Sequence, residues 1–174
     1  VTNRGPEPAE IHVLPQVWFR NTWSWIADTA KPSLERAGDH VVLTHENLGV
    51  YVVQFERPDD IRFCENETNG PRLFATASSG GLYKDGLHDY VVHGDAKAVD
   101  SSRGTKAAGI YRRTVAAGGR AVVRVRLSPG APKAEPFADF DEVLALRRRG
   151  FSRIPRSVAT SRSSRSRLRS VLEV

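Results

Sequence analysis

The clearest structural pattern in the chain is a pair of alternating segments, His40–His45 and Val50–Phe55, joined by a short polar stretch. In the first segment Val41 and Leu43 fall on one side, which is the period of two expected for a strand with one buried face. The joining stretch Glu46-Asn47-Leu48-Gly49 ends in glycine, which tolerates the positive φ angles that tight turns need. The pattern predicts an antiparallel β-hairpin.

Other short segments have strand composition and are separated by turn signals, without the strand–helix alternation of parallel sheets. We therefore predict an all-β fold, an antiparallel sandwich of seven or eight strands. Pro15 interrupts the first segment and predicts an edge or bulge, since proline cannot donate a ladder hydrogen bond. The predicted segments are Glu10–Phe19, Ile61–Glu65, Arg72–Ala77, Leu87–His93, and a second hairpin of Lys106–Val115 with Arg120–Leu127.

Three regions are predicted along the chain. Residues 1–128 form the β-sandwich, residues 129–150 form a linker and a helix, and residues 151–174 form a disordered Arg/Ser tail, because a segment with few large apolar residues cannot offset its chain entropy. The helix is expected over Phe140–Arg149, with Asp139 as N-cap and Gly150 as its end. Its apolar stripe consists of Val143, Leu144 and Leu146.

Charge separates the tail from the rest. The whole chain has a net charge of +6, from 26 Lys and Arg against 20 Asp and Glu. Residues 147–174 contain nine arginines and one acid, a net +8, which leaves residues 1–146 at −2. A nucleic-acid interaction would therefore depend on the tail alone, and we do not expect one.

Several other classes are disfavoured. No apolar run approaches the roughly 18 residues of a membrane span, and no signal-peptide pattern or dinucleotide, Walker or Gly-x-Ser-x-Gly motif occurs. The single cysteine, Cys64, cannot form an internal disulfide or a multi-cysteine zinc site, and we expect it to be a small buried hydrophobe. We expect a cytoplasmic location and no cofactor. Asn66-Glu67-Thr68 matches a glycosylation sequon, which matters only in a secreted protein.

Three tryptophans lie within eight residues, at positions 18, 23 and 25. Indole faces stack on the C–H surfaces of sugars and on bases, and they bind cations. Packing in the core or at a sheet edge is the alternative for each ring. Trp23 and Trp25 share a face if the first strand continues through them.

A second polar cluster runs from Tyr83 to Gly94 and contains Lys84, Asp85, Asp89 and His93. Paired carboxylates can hydrolyse glycosides, but spacing in sequence does not give their separation. In a strand Asp89 and His93 share a side and His88 faces away, so no third metal ligand is expected and we predict no metal site. A structural polar cluster around a tight turn is the alternative.

Three stretches closely resemble the β-sandwich region of bacterial glucosidases of glycoside hydrolase family 63, the group that includes mannosyl-oligosaccharide glucosidases. They are NRGPEPAEIHVLPQVWFRNTWSW, ENETNGPRLFATASSGGLYKDGLHDYVVHG and GTKAAGIYRRTV. The helix PFADFDEVLALRRR looks like the segment that leads from that sandwich toward the next domain. The resemblance covers about residues 2–149.

The resemblance implies a division of labour in which two carboxylates on a following (α/α)6 barrel hydrolyse the α-glucosidic bond of an oligosaccharide. Asp85 and Asp89 match sandwich positions, so no catalytic residue is carried over, and the chain alone is expected to be inactive. Its implied role is to pack against that barrel and help to shape the sugar site. The residues expected near that interface are Trp23, Trp25, Tyr83, Lys84, Asp85, Asp89 and His93.

Relative to that family the chain is expected to be truncated at both ends, and its tail looks like out-of-frame coding from a GC-rich gene. An uncovered sheet edge and apolar surface would then make it poorly soluble. Two other functions stay open. A β-domain with an Arg/Ser tail could bind RNA or another polyanion in a salt-dependent way, and a stand-alone carbohydrate-binding module would depend on Trp23 or Trp25.

Overall fold

In the computed structural model, which describes residues 1–77, 80–151 and 172–173, the strands form two antiparallel sheets of five strands each. The predicted all-β, sandwich-like fold with one C-terminal helix is confirmed. The strands are β1 (Ala9–Val13), β2 (Gln16–Phe19), β3 (Ser33–Ala37), β4 (His40–His45), β5 (Gly49–Phe55), β6 (Asp60–Cys64), β7 (Arg103–Gly104), β8 (Lys106–Val115), β9 (Val125–Pro129) and β10 (Leu172–Glu173).

The first sheet is built around the long strand β8. β1 and β2 lie on one edge of β8 and β6 lies on the other. Pro15 falls between β1 and β2, where its carbonyl oxygen accepts a hydrogen bond from the Gly109 amide at 3.1 Å. The interruption predicted at Pro15 is therefore present, and it divides one edge of β8 between two short strands.

The second sheet has the order β7-β3-β4-β5-β9 and contains the predicted hairpin. β4 and β5 pair from His40 with Gln54 to His45 with Gly49, and Gly49 has a φ of +76°. Local alternation and the glycine turn thus specify this hairpin as the sequence predicted.

The predicted second hairpin is wrong. Lys106–Val115 forms β8, whose two edges are occupied by β1 with β2 and by β6. The following strand begins at Val125 rather than Arg120 and pairs with β5 in the other sheet. Residues 106–108 of β8 have a strand on both edges, and β9 lies in the second sheet, where Val125 and Leu127 pack against the core.

Two segments predicted as strands are helices instead. α1 spans Gly70–Phe74, and Asn69 caps it by accepting a hydrogen bond from the Arg72 amide at 3.1 Å. α2 spans Gly86–His93 and ends at Gly94, whose φ of +69° forms a left-handed cap. Leu87 and Tyr90 have the spacing of one helix face, whereas Tyr90 and Val92 have the spacing of one strand face, so the short segment does not distinguish the two periods.

The core has two parts. The larger lies between the sheets, and the smaller lies on the outer face of the first sheet, where α2 packs Leu87 against Cys64 and Ala108. Gly86 permits this approach, because a Cβ there would collide with the Ala98 carbonyl oxygen, in the 3-10 turn Ala96–Ala98. The buried residues between the sheets include Val17, Phe19, Leu34, Val41, Leu43, Val53, Phe55, Ile61, Phe63, Ala107 and Tyr111.

The helix near the C-terminus, α3, spans Phe140–Phe151, so Gly150 does not end it as predicted. The Asp139 carboxylate accepts hydrogen bonds from Arg126, and Arg124 lies over the ring of Phe140. The predicted apolar stripe of Val143, Leu144 and Leu146 is exposed.

Within the predicted disordered tail, residues 151–174, the structure describes only Phe151 and the two residues of β10, Leu172 and Glu173, which pair with Phe19 and Trp18 of β2. The rest of that prediction lies outside the described residues. None of the helices in the described parts of the chain has the length and apolar character to cross a membrane.

Candidate functional site

The candidate site lies on the outer face of the first sheet, beside α2. Val17 and Phe19 of β2 are buried between the sheets, so Trp18 between them projects to the opposite side. Trp18 pairs with Lys106 of β8, which in turn pairs with Cys64 of β6. Cys64 lies beneath α2, whereas Trp18 and Lys106 are not covered by the helix and line a surface groove.

This open area is a groove of about 710 Å³, which we call the indole groove. Trp18 forms part of it, and Trp25 contributes a ring that is 67% exposed. The guanidinium of Arg20 lies 5.5 Å from the centre of the Trp25 ring, a cation–π distance that restrains both side chains. The groove is lined by Gln16, Trp18, Arg20, Asn21, Ser24, Trp25, Asn66, Glu67, Thr68, Lys84 and Lys106.

The residues after β6 supply one polar wall of the groove. The Asn66 side-chain amide donates to the Phe19 carbonyl at 2.8 Å, and the Asn66 backbone amide donates to the Thr105 hydroxyl at 2.8 Å. Glu67 accepts hydrogen bonds from the Trp23 indole at 3.1 Å and from Lys31 at 3.3 Å. These bonds hold the wall in place. The side-chain nitrogen of Asn66, the first residue of the sequon, is thereby bonded within the protein.

Two lysines give the groove a positive side. The Lys84 ammonium donates to the Thr68 hydroxyl at 3.0 Å. Lys106 is half-buried, and burial, with a smaller contribution from the charge of Lys84, lowers the pKa of its ammonium. Such a group gains from a hydrogen-bond acceptor in the groove, because its charge is incompletely solvated.

The structure separates the two tryptophans that the sequence placed on one face. β2 ends at Phe19, so positions 23 and 25 lie in turns rather than in a strand. Trp23 packs against the core and anchors Glu67, whereas Trp25 points into the groove. Trp23 is therefore a support for the wall, and Trp25 is a contact surface.

Asp85 and Asp89 lie outside the indole groove and share one cation, Arg72. The Arg72 guanidinium lies 3.0 Å from the Asp85 carboxylate and 3.2 Å from that of Asp89. Asn69 also donates to Asp85 at 3.0 Å while capping α1. The cluster joins α1 to α2, which agrees with the alternative of a structural polar cluster.

The remaining predicted residues flank α2. The Tyr83 carbonyl accepts a hydrogen bond from the Gly86 amide at 2.9 Å, in the turn that begins the helix. His93 is exposed at the other end, with its ring 5.6 Å from that of His88. One ligand atom each from His88, Asp89 and His93 lies within 4.8 Å of the others. The prediction that His88 faces away assumed a strand, and the helix removes that separation.

Cys64 is not a candidate nucleophile. It is 1% exposed, and burial raises the pKa of its thiol to about 12, so the thiolate is scarce near neutral pH. The expectation of a small buried hydrophobe is confirmed.

Sequence reasoning placed Trp25 and Lys84 near a site but missed most of the groove. Trp18 could have been identified, because it alternates with two apolar neighbours in a strand. Gln16 shares the outer face of β2 with Trp18 by the same alternation. Lys106 meets Trp18 only through the pairing of β2 with β8, and Asn66 reaches the groove only because β6 pairs with the other edge of β8.

Comparison with known proteins adds one related sequence. An uncharacterized protein of Saccharomyces cerevisiae (YMR196W) is 29% identical over 133 residues, which covers 60% of this chain. The match covers 12% of the yeast protein, so the chain spans about an eighth of that relative's length. No family model matches the chain, and no solved structure matches it.

Proposed function

We propose that this chain is a non-catalytic β-sandwich domain of a glucosidase-like glycoside hydrolase, in which it helps to bind an oligosaccharide and packs against a helical catalytic barrel. The observation that carries the proposal is the indole groove, where two indoles lie beside amide, hydroxyl and ammonium groups. The resemblance to glycoside hydrolase family 63 supplies the reaction class.

The chemistry of the groove suits a sugar. The C–H faces of a pyranose ring stack on indole, and its hydroxyl groups need donors and acceptors arranged around that contact. Trp18 and Trp25 offer the apolar faces, while Gln16, Asn21 and Lys106 offer polar atoms. A volume of about 710 Å³ falls in the usual range for small-molecule sites.

The carboxylates favour a binding role over catalysis. Glycoside hydrolysis needs two carboxyl groups on either side of the scissile bond. Among the described residues that line the groove, Glu67 is the acidic one, and it is engaged by Trp23 and Lys31. Asp85 and Asp89 share Arg72 outside the groove.

A role within a larger protein is supported by the surface of the chain and by its relative. Leu73 and Phe74 on α1 and Leu146 on α3 are each more than half exposed, as expected for surface that another domain covers. The match to 12% of a longer yeast protein agrees with this. A cytoplasmic location and hydrolysis without a redox cofactor are part of the same proposal.

Calorimetric titration of the full chain with an α-glucosyl oligosaccharide tests the binding role. Trp25→Ala should weaken binding about two- to twelvefold, since an aromatic contact contributes about 0.5–1.5 kcal/mol. Phe74→Ala is the matched control, because Phe74 is 70% exposed and does not line the groove. Equal affinities for both variants would contradict the assignment of the groove.

A glucosidase assay tests the non-catalytic part. We expect no turnover by the chain alone. Hydrolysis that Asp85→Asn or Asp89→Asn abolishes would show that these carboxylates are catalytic and would overturn the proposal.

The second candidate function, binding of RNA or another polyanion, is favoured by the net +8 of residues 147–174. It requires tight binding that weakens steeply with salt and disappears when residues 152–174 are deleted. The glycosidase proposal expects weak binding at physiological salt in both the full and the shortened chain.

A further inference from the structure

We infer that His88, Asp89 and His93 form a surface site for one zinc-class divalent metal ion on α2. One ligand atom from each side chain lies within 4.8 Å of the other two. Two imidazoles and one carboxylate are the ligands that zinc and its neighbours in the transition series prefer, while calcium and magnesium favour all-oxygen sites.

The helix brings these three residues together. Asp89 and His93 are four residues apart and lie on adjacent turns of the same face. His88 and His93 approach edge to face, with their ring centres 5.6 Å apart. His88 and His93 are both exposed, so their imidazoles can rotate toward an ion shared with Asp89.

The backbone beneath the site is held in place. Leu87 is 3% exposed and packs against the outer face of the first sheet. The Tyr90 hydroxyl donates to Asp60 at 2.9 Å, and the left-handed cap at Gly94 closes the helix. Anchoring of this kind lowers the entropic cost of gathering three ligands around an ion.

The electrostatic surroundings act in both directions. His93 ends α2, where the helix dipole favours a cation, whereas His88 and Asp89 lie in its first turn. Arg72 is positive and contacts both oxygens of Asp89, at 3.3 and 3.2 Å. Arg72 is largely exposed, so its repulsion is screened by solvent, and it also holds the carboxylate in position. Three protein ligands leave one coordination position open to water.

Calorimetric titration of the full chain, prepared without a polyhistidine tag and freed of metal by chelation, with a zinc salt tests the site. We expect saturable binding of one ion per chain. His88→Ala and His93→Ala should each weaken binding at least about tenfold. Because both side chains are exposed, neither variant should unfold the chain.

Two matched controls separate this site from nonspecific binding. His12→Ala removes an exposed histidine of β1 and should leave the affinity unchanged. Asp89→Asn should weaken binding, whereas Asp85→Asn, which removes the other partner of Arg72, should not. Cobalt titration should show the visible bands of a tetrahedral ion, and His93→Ala should remove them.

Absence of saturable zinc binding would overturn the site. Binding that both histidine variants leave unchanged would place the ion elsewhere and would also overturn it. Weakening by only one of the three ligand substitutions would contradict the three-ligand arrangement.

Discussion

On the sheet built around β8, the inner face is a closed apolar core, whereas the outer face is partly covered by α2 and partly open as the indole groove. One rung of the ladder joins Val17, Ala107 and Phe63, which are all fully buried. The adjacent rung joins Trp18, Lys106 and Cys64 on the other side. The core residues and the residues of the outer face are therefore direct neighbours in sequence on each of these three strands.

The difference shows what strand alternation determines and what it leaves open. Alternation assigns each residue to one face, and the inner face must be apolar because the second sheet covers it. The outer face takes its character from what packs on it. Beneath α2 the outer face is apolar, because Leu87 packs there against Cys64 and Ala108. Beside Trp18 the helix does not cover the sheet, and polar residues line that surface.

The largest effect is expected from the inner face. Phe63→Ala should lower the free energy of unfolding by about 3–5 kcal/mol, because it removes a fully buried ring and leaves a cavity. Urea denaturation of the full chain measures the change. Phe74→Ala should stay within about 0.5 kcal/mol of the unchanged chain, since Phe74 is 70% exposed. Similar losses for both variants would contradict the assignment of the core.

A smaller effect is expected where α2 covers the outer face. Leu87→Ala should cost about 2 kcal/mol by removing the contact of the helix with Cys64 and Ala108. Hydrogen exchange should accelerate in α2 more than in β8, because the helix can detach while the core remains closed. Val92→Ala on the same helix is the control, since Val92 is 60% exposed. Equal acceleration in both elements would show that the outer layer is not separable from the core.

The Cys64 thiol reports on the same layer. Burial raises its pKa to about 12, so at pH 8 it should react with a disulfide reagent at least about a hundredfold more slowly than an exposed thiol. Leu87→Ala should accelerate the reaction by uncovering the thiol, and Val92→Ala should not. Rapid reaction in the unchanged chain would contradict the burial of Cys64 beneath α2.

The smallest effect on stability is expected in the open groove. Trp25→Ala should change the free energy of unfolding by less than about 0.5 kcal/mol, because the ring is 67% exposed. A loss above 2 kcal/mol in urea denaturation would show that Trp25 is a packing residue rather than a contact surface.

The parts predicted correctly from the sequence have local causes. The β4–β5 hairpin follows from alternation and a glycine turn, the interruption follows from Pro15, and the burial of Cys64 follows from its apolar neighbours. β9 was assigned to the wrong sheet because its partner, β5, is distant in sequence, and β8 pairs instead with β1, β2 and β6.

The site was harder to predict because its parts are far apart in sequence. α2 fits both the strand and the helix period over its eight residues, so its identity depends on the contact of Leu87 with the sheet. The groove combines residues from position 16 to position 106. Trp25 and Lys84 belonged to clusters visible in the sequence, and Trp18 could have been identified by its alternation with Val17 and Phe19.

The indole N–H signals of the three tryptophans provide the most direct test of the proposed sugar site. In a nitrogen-15 NMR titration with an α-glucosyl oligosaccharide, the signals of Trp18 and Trp25, which line the groove, should shift and saturate together. The signal of Trp23, whose N–H is bonded to Glu67 behind the groove wall, should move much less. No shift of the Trp18 and Trp25 signals at saturating sugar, or an equal shift of all three, would contradict the account.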